Sequence, residues 1–138
     1  PGVRWLGRVS DQELCALYHA ATALVQPSLL EGFGLPVLEA MASGTPVLCS
    51  RATSLPEVAG SAALYFDPFD VEDIATQLRR CLSDEALRQE LVQRGLAQAA
   101  RFRWEDTARR TLAVLADVAA GYRGQVGLAR SIRQTGPE

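Results

Sequence analysis

The sequence contains no lysine, one histidine and no long apolar run. The absence of lysine excludes Schiff-base catalysis and a phosphate-binding loop of the P-loop type, because both require a lysine amine. The single histidine, His19, excludes a centre with several histidine ligands, and we predict no metal site. No apolar segment approaches the roughly 18 residues that a membrane-spanning helix needs.

A basic excess is also missing. Fourteen arginines stand against sixteen acidic residues, for a net charge of −2, whereas a protein that binds nucleic acid usually carries an excess of basic charge. We therefore expect no nucleic-acid partner. Cysteine is sparse as well, since Cys15, Cys49 and Cys81 are far apart and form no CxxC pair. Buried free thiols in a reducing compartment are the simplest interpretation, which predicts a cytoplasmic protein.

Apolar segments of strand character alternate with amphipathic segments of helical character along most of the 138 residues. This alternation predicts an α/β fold, with a Rossmann-like parallel sheet of about four strands flanked by helices. We assign residues 1–120 to this domain and residues 121–138 to a tail or linker. The predicted strands cover residues 3–7, 23–28, 46–50 and 62–66, and the predicted helices cover residues 11–21, 36–43, 54–60 and 104–120, with two more beginning after Asp70 and Asp84.

The loop from Ser28 to Gly34 is the first candidate for a binding site. It leaves the carboxyl end of a predicted strand and leads directly into a helix, and ligands of open parallel sheets bind at such ends. Gly32 and Gly34 allow the backbone to approach a ligand closely. The amide groups at the start of the helix favour an anion such as a diphosphate. The alternative interpretation of the same pattern is an ordinary glycine turn.

Two glutamates flank this loop. Glu31 lies on the loop and Glu39 lies about one turn into the following helix, so both side chains can face the same groove. Carboxylates repel phosphate but accept hydrogen bonds from sugar hydroxyls. Amides for a diphosphate and carboxylates for hydroxyls together favour a sugar nucleotide. Alternatively, the helix dipole favours Glu39 and Glu31 is merely solvated.

The segment from Glu31 to Val47, EGFGLPVLEAMASGTPV, resembles the E-x7-E signature of family 4 of the retaining glycosyltransferases, which have the GT-B fold. The resemblance covers about residues 3–118. Its other parts are residues 3–7, 23–28, 55–60, 66–68 and 102–104.

The resemblance implies a nucleotide-diphosphate sugar as donor, no cofactor and no metal. It implies that Glu31 is catalytic and contacts the donor sugar, either as a nucleophile or as a stabiliser of an oxocarbenium-like state, and that Glu39 holds the ribose hydroxyls. It places backbone groups of the glycine loop against the sugar and diphosphate, and an earlier segment near the base. These further donor-binding residues are Gly32, Phe33, Gly34 and Leu35 on the loop, and Gly7, Arg8 and Val9 near the base.

Relative to that family, the sequence lacks the first two of six strands, which carry a basic pair that neutralises the leaving diphosphate, and it lacks the acceptor-binding N-terminal domain. We therefore expect little or no sugar transfer by this chain alone. In the family's strand order the missing strands lie between residues 3–7 and residues 23–28. Either these two segments pair directly, or another chain fills the gap, which predicts a homodimer through an uncovered sheet edge.

Two other functions fit parts of the sequence. A noncatalytic module of the same fold would bind a nucleotide sugar or serve assembly without transferring sugar. A GT-B phosphorylase would use phosphate instead of a nucleotide donor, and Glu39 argues against it because a phosphorylase needs no ribose contact. The sugar, the base and the acceptor are not specified by the sequence. A peripheral position at the membrane stays open, because many proteins of this family act on lipid-linked acceptors.

Overall fold

The computed structural model describes residues 2–133 of the chain, with side chains up to residue 121. The chain divides into two compact units, one through Arg101 and one from Phe102 onward. The first unit contains three strands and five helices in alternation, and the second contains one long helix. In chain order the elements are α1 (Asp11–Ala20), β1 (Leu24–Gln26), α2 (Leu35–Ala42), β2 (Val47–Ser50), α3 (Leu55–Ala59), β3 (Ala63–Phe66), α4 (Val71–Ser83), α5 (Glu85–Ala99) and α6 (Trp104–Arg133).

The three strands form one parallel sheet in the order β1-β2-β3. Leu24 of β1 is in register with Val47 of β2, which is in register with Ala63 of β3. All four residues of the central strand β2 are buried. Helices α2 and α3 connect successive strands, as parallel pairing requires. The predicted α/β fold with a parallel sheet flanked by helices is confirmed, and its carboxyl edge is formed by the loops after β1 and β2.

The predicted strand over residues 3–7 is wrong, so the sheet has three strands and not four. Val3 and Trp5 are fully solvent-exposed, at 102% and 93%, and Gly7 has a left-handed φ of 67°. An apolar segment forms a strand only where a neighbouring strand supplies hydrogen-bond partners. Within residues 2–133, this segment pairs with no strand. Trp5 lies in solvent and not in the core for the same reason. The second edge of β1 is therefore unpaired within residues 2–133, and a homodimer through it stays a prediction.

The sheet is covered on both faces. Val47 and Cys49 of β2 point to one side and pack with Met41 of α2 and Leu55 of α3. Leu48 points to the other side and belongs to a second cluster. That cluster consists of Leu48, Leu64, Phe66, Cys81 and Leu91.

Helix α2 is held from its other side by α5. A Cβ atom added to Gly95 of α5 would lie 3.2 Å from Cγ of Met41, so the two helices approach closely at this point. Gly95 is buried and not left-handed, which means that close packing and not backbone conformation requires the glycine. This contact fixes α2, the helix that carries Glu39.

The predicted helix starts are confirmed by their caps. Ser10 Oγ accepts a hydrogen bond from the Glu13 amide at 3.3 Å, and Glu13 Oε2 accepts one from the Ser10 amide at 2.8 Å, which completes a capping box at the start of the helix predicted from residue 11. Asp70 and Asp84 accept from backbone amides at the starts of α4 and α5. Helix α6, predicted to end at residue 120, continues to Arg133. Residues 134–138 lie outside the described residues, and a separate tail over 121–138 stays a prediction.

Two of the three cysteines are buried as expected, and the third is not. Cys49 and Cys81 are 0% and 1% exposed, whereas Cys15 lies on the exposed surface of α1. Burial raises the pKa of the Cys49 thiol to about 12 and also raises the pKa of the Cys81 thiol. Since the thiolate is the reactive form, the buried thiols are protected by both their position and their protonation.

We expect one thiol to react rapidly with a disulfide reagent such as DTNB at pH 8, and three to react in 8 M urea. The Cys15→Ser variant should lose the rapid phase, because Cys15 is the exposed thiol. Absorbance of the released thionitrobenzoate gives both counts. A second thiol that reacts as fast as Cys15 in the folded protein would contradict the burial of β2 and α4.

Candidate functional site

The glycine loop enters α2 through a left-handed turn at Gly34. Gly34 is the N-cap of α2, with φ 105° and ψ 39°, and it is buried. A Cβ atom at this position would lie 2.9 Å from Cδ2 of Leu55. Gly34 is therefore required by a left-handed backbone and by contact with α3, and not only by the approach of a ligand. Gly32 has no neighbouring atom within 4 Å of an added Cβ, so open space remains beside that glycine.

The carboxylate of Glu31 is held by two side chains from the end of β1. Its Oε2 atom accepts hydrogen bonds from Gln26 Nε2 at 3.2 Å and from Ser28 Oγ at 3.3 Å. Gln26 also donates to Ser28 Oγ at 2.8 Å, so the three side chains form one connected group. All three are half-buried. This group sets the position of the Glu31 carboxylate at the carboxyl edge of the sheet.

The backbone of Glu31 is held by the loop that follows β2. Its amide donates to Thr53 Oγ1 at 3.1 Å, and Ser54 Oγ donates to its carbonyl oxygen at 3.1 Å. Thr53 has a φ of 49°, an unfavourable conformation for a β-branched residue. The loops after two neighbouring strands are thus joined at Glu31.

Sequence reasoning missed these partners of Glu31. Gln26 and Ser28 belong to the predicted strand over residues 23–28, Ser54 begins the predicted helix over residues 54–60, and Thr53 has no predicted role. One signal was available, since polar residues directly after neighbouring parallel strands meet at the same edge of the sheet.

The start of α2 offers fewer amides than four unpaired helix N–H groups would suggest. Pro36 has no N–H group, and the Val37 amide donates to the Gly34 carbonyl oxygen at 3.1 Å. The amide of Leu35, at the first helical position, has no intrahelical acceptor. The side chains of Phe33 and Leu35 are each 45% exposed, so the loop and the first turn of α2 border solvent.

Glu39 lies on α2 four residues after Leu35, or about 6 Å along the helix axis. Its side chain is exposed, and its Oε2 atom accepts a hydrogen bond from the hydroxyl of Tyr18 at 3.3 Å. Burial raises the pKa of Tyr18, and the neighbouring Glu39 carboxylate raises it further, because both disfavour the phenolate. The sequence predicted Tyr18 only as a member of the apolar face of α1.

The structure gives the two glutamates different settings. Glu31 belongs to a hydrogen-bonded group at the ends of β1 and β2, and Glu39 is joined to α1. Gly34 lies between them in the chain, and an added Cβ there would lie 4.0 Å from Cγ of Glu31. That both side chains face one groove stays a prediction.

The segment predicted to lie near the base borders a groove of its own. Arg8 and Val9 line a groove of about 470 Å³, together with Leu6 and residues of α1. Gly7, with its left-handed backbone, precedes them. The lining of this groove comes from residues 6–17 and does not include the glycine loop. The structure therefore brings Gly7, Arg8 and Val9 next to α1, and their contact with a base stays a prediction.

A larger groove, of about 680 Å³, lies near the amino ends of β1 and β2, at the opposite end of these strands from the glycine loop. Thr22 and Pro46, which precede β1 and β2, line it together with residues of α5 such as Glu85 and Arg88. Ligands of parallel sheets bind at the carboxyl ends of the strands. For that reason the group around Glu31, and not this larger groove, is the candidate site.

The described part of the chain shows two further absences. It contains no group of three or more histidine, cysteine, aspartate or glutamate side chains placed to hold a metal ion. None of its helices combines the length and the apolar character needed to cross a membrane.

Residues 1–98 match the protein family described as "Glycosyl transferases group 1". The chain belongs to this family. The matched segment includes all three strands, the glycine loop and both glutamates. The group at the carboxyl edge of the sheet is therefore part of a glycosyl transferases group 1 domain.

Mannosyltransferases are among the curated relatives of this chain. The chain is 50% identical over 110 residues to the O-antigen chain mannosyltransferase B of Escherichia coli. The aligned part makes up 80% of this chain and 29% of that protein. It is 43% identical over 110 residues to the MMP alpha-(1->4)-mannosyltransferase of Mycolicibacterium hassiacum, which covers 77% of this chain and 27% of that protein. This glycosyl transferases group 1 chain thus spans less than a third of the length of these relatives.

Solved structures agree with the fold of this group 1 domain. Sucrose-phosphate synthase from Thermosynechococcus elongatus superposes with a TM-score of 0.76 at 31% identity, over 84% of this chain and 30% of that one. The C-terminal domain of a glycosyl transferase group 1 family protein (LpcC) from Francisella tularensis superposes with a TM-score of 0.62 at 32% identity, over 70% of this chain and 51% of that one. The chain has the fold of a GT-B C-terminal domain.

Proposed function

We propose that this chain is the donor-binding part of a retaining glycosyltransferase of family 4, which transfers a glycosyl group from a nucleotide-diphosphate sugar to an acceptor. The observation that carries the proposal is the anchoring of Glu31 at the carboxyl edge of the sheet. Hydrogen bonds from Gln26 and Ser28 hold its carboxylate, and Thr53 and Ser54 hold its backbone. A group fixed in this way can act on a substrate without first being ordered.

The chemistry of a carboxylate suits the reaction. Sugar transfer passes through a state with positive charge at the anomeric carbon, and a fixed carboxylate stabilises that charge or attacks the carbon directly. Glu31 is the residue that we assign to this role. Mannosyltransferases among the curated relatives support a hexosyl donor for the whole protein.

We assign the remaining parts of the donor to the residues around Glu31. The amides of the loop and of the first turn of α2, from Gly32 to Leu35, would face the diphosphate, because this stretch borders solvent and includes an amide without an intrahelical acceptor. Glu39 would accept from the ribose hydroxyls. The segment Gly7-Arg8-Val9 would lie near the base. No metal or cofactor is part of this assignment.

The acceptor site belongs to the rest of the protein in this proposal. The chain spans 29% of the Escherichia coli relative, which leaves most of such a protein for other functions. We expect that residues 1–138 alone bind a donor nucleotide but transfer little or no sugar. The cytoplasmic location stays a prediction from the sequence.

Nucleotide binding tests the proposal. Isothermal titration of the protein with GDP, UDP and ADP should show binding of at least one of them, and Glu39→Ala should weaken that binding about 5- to 150-fold, or about 1–3 kcal/mol, because ribose hydroxyls lose a charged acceptor. Glu72→Ala is the matched control, since Glu72 is an exposed glutamate in the first turn of α4. Equal affinities of the wild type and the Glu39→Ala variant would contradict the assignment of Glu39.

A further inference from the structure

The side chain of Tyr18 connects α1 with the proposed donor site. Tyr18 is half-buried on α1, and its hydroxyl donates to Glu39 Oε2 on α2 at 3.3 Å. Glu39 itself is exposed. A residue of the neighbouring helix therefore orients an otherwise solvent-facing carboxylate.

The backbone of Tyr18 is itself fixed. Thr45, which is 2% exposed and follows α2, donates from Oγ1 to the Tyr18 carbonyl oxygen at 2.6 Å. The next residue of α1, His19, places Nδ1 3.3 Å from the carbonyl oxygen of Ser43 at the end of α2. These two contacts join the last turn of α1 to the end of α2. Tyr18 therefore belongs to a helical turn that is hydrogen-bonded to the end of α2, the helix of Glu39.

A fixed donor on one oxygen changes what the carboxylate can do. A long side chain at the surface loses conformational freedom when it binds a ligand, and this loss weakens the binding. The hydrogen bond from Tyr18 restricts the Glu39 side chain before a ligand binds, so less conformational freedom is lost on binding. A carboxylate has about four lone-pair sites, so Glu39 keeps acceptor capacity for two neighbouring hydroxyls of a ligand.

We propose that Tyr18 is a positioning residue that orients Glu39 to accept hydrogen bonds from the 2′- and 3′-hydroxyls of a nucleotide's ribose. The inference rests on the proposed function, which assigns the ribose to Glu39. It adds a residue that touches no part of the ligand and acts through the carboxylate. The ring of Tyr18 also packs against the core cluster of α2 and α3, so a test must separate this packing from the role of the hydroxyl.

Tyr18→Phe removes the hydroxyl and keeps the ring. The probes are GDP, UDP and ADP, each compared by isothermal titration with its 2′,3′-dideoxy counterpart. We expect the wild type to bind a ribonucleotide more tightly than its dideoxy form. Tyr18→Phe should weaken ribonucleotide binding by about 2- to 12-fold, the effect of one hydrogen bond, and change dideoxynucleotide binding by less than about twofold.

Tyr65→Phe is the matched control. Its hydroxyl donates to the Gly60 carbonyl oxygen at 2.6 Å, so this variant also removes the hydrogen bond of a half-buried tyrosine, but not one that touches Glu39. It should leave the ratio of the two affinities unchanged. In a Glu39→Ala background, Tyr18→Phe should have no further effect on either probe, since there is no carboxylate left to orient.

The comparison distinguishes the ways in which the idea can fail. An equal loss of affinity for both probes in Tyr18→Phe would overturn the positioning role, because it would show general damage to the site. If Tyr18→Phe changes neither affinity, so that the ratio of ribonucleotide to dideoxynucleotide affinity equals that of the wild type, the positioning role is overturned as well. If the wild type does not distinguish ribose from dideoxyribose, the ribose contact of Glu39 is wrong, and both the assignment in the proposed function and this inference are overturned.

Discussion

Replacement of Gly34 by alanine is expected to lower the free energy of unfolding by about 2–5 kcal/mol. A left-handed backbone costs an alanine about 1–2 kcal/mol, and an atom forced into a packed space costs about 1–3 kcal/mol. Both costs apply here, because φ is 105° and the new Cβ would lie 2.9 Å from Cδ2 of Leu55. A domain has only about 5–15 kcal/mol of stability, so the loss is large. Urea denaturation followed by far-ultraviolet circular dichroism measures it.

Gly32→Ala is the matched control for this experiment. Gly32 lies two residues earlier in the same loop and has open space around an added Cβ, so its replacement should change stability by less than about 0.5 kcal/mol. In a Leu55→Ala background the added Cβ no longer meets the leucine side chain. The loss of unfolding free energy caused by Gly34→Ala should then fall to the cost of the left-handed backbone, about 1–2 kcal/mol. Similar effects of the two glycine replacements in the wild type would contradict the specific need for glycine at position 34.

Replacement of Glu31 by glutamine is expected to reduce sugar transfer by the full-length protein about 10²- to 10³-fold in kcat, the usual effect of removing one fixed charge-stabilising group. A glutamine can still accept hydrogen bonds from Gln26 and Ser28 through its amide oxygen, so the loop should keep its position. The loss would then come from the missing negative charge near the anomeric carbon. Initial rates with a panel of nucleotide-sugar donors measure the effect.

Two further measurements show whether the effect of Glu31→Gln is chemical. The free energy of unfolding should change by less than about 1 kcal/mol, and the affinity for the nucleotide alone should stay within about threefold, because Glu31 is assigned to the sugar and not to the nucleotide. Glu72→Gln, at an exposed position on α4, should leave transfer unchanged. Full activity of Glu31→Gln would remove Glu31 from the mechanism.

The parts of the candidate site that sequence reasoning found are those defined by local signals. The glycine loop before a helix and the eight-residue spacing of Glu31 and Glu39 can be read from the chain alone, and the structure places the loop after β1 and Glu39 on α2. The more distant partners of these glutamates have no local signal in the sequence. Tyr18 and Thr53 lie more than twenty residues from the glutamates that they contact, and no periodicity links them.

Local sequence signals alone gave the alternation of strands and helices after residue 10 and the starts of several helices. Ser10, Asp70 and Asp84 cap the helices that they were predicted to cap, because a cap depends on atoms within three residues.

Long-range contacts explain why one predicted strand is missing and why a particular glycine is needed. Residues 3–7 have a strand-like pattern but no neighbour to pair with, and the exposed Trp5 shows the result. The need for glycine at position 34 comes from Leu55, which is distant in the chain. In both cases the deciding energy comes from contacts between remote segments, and such contacts exist only after the chain has folded.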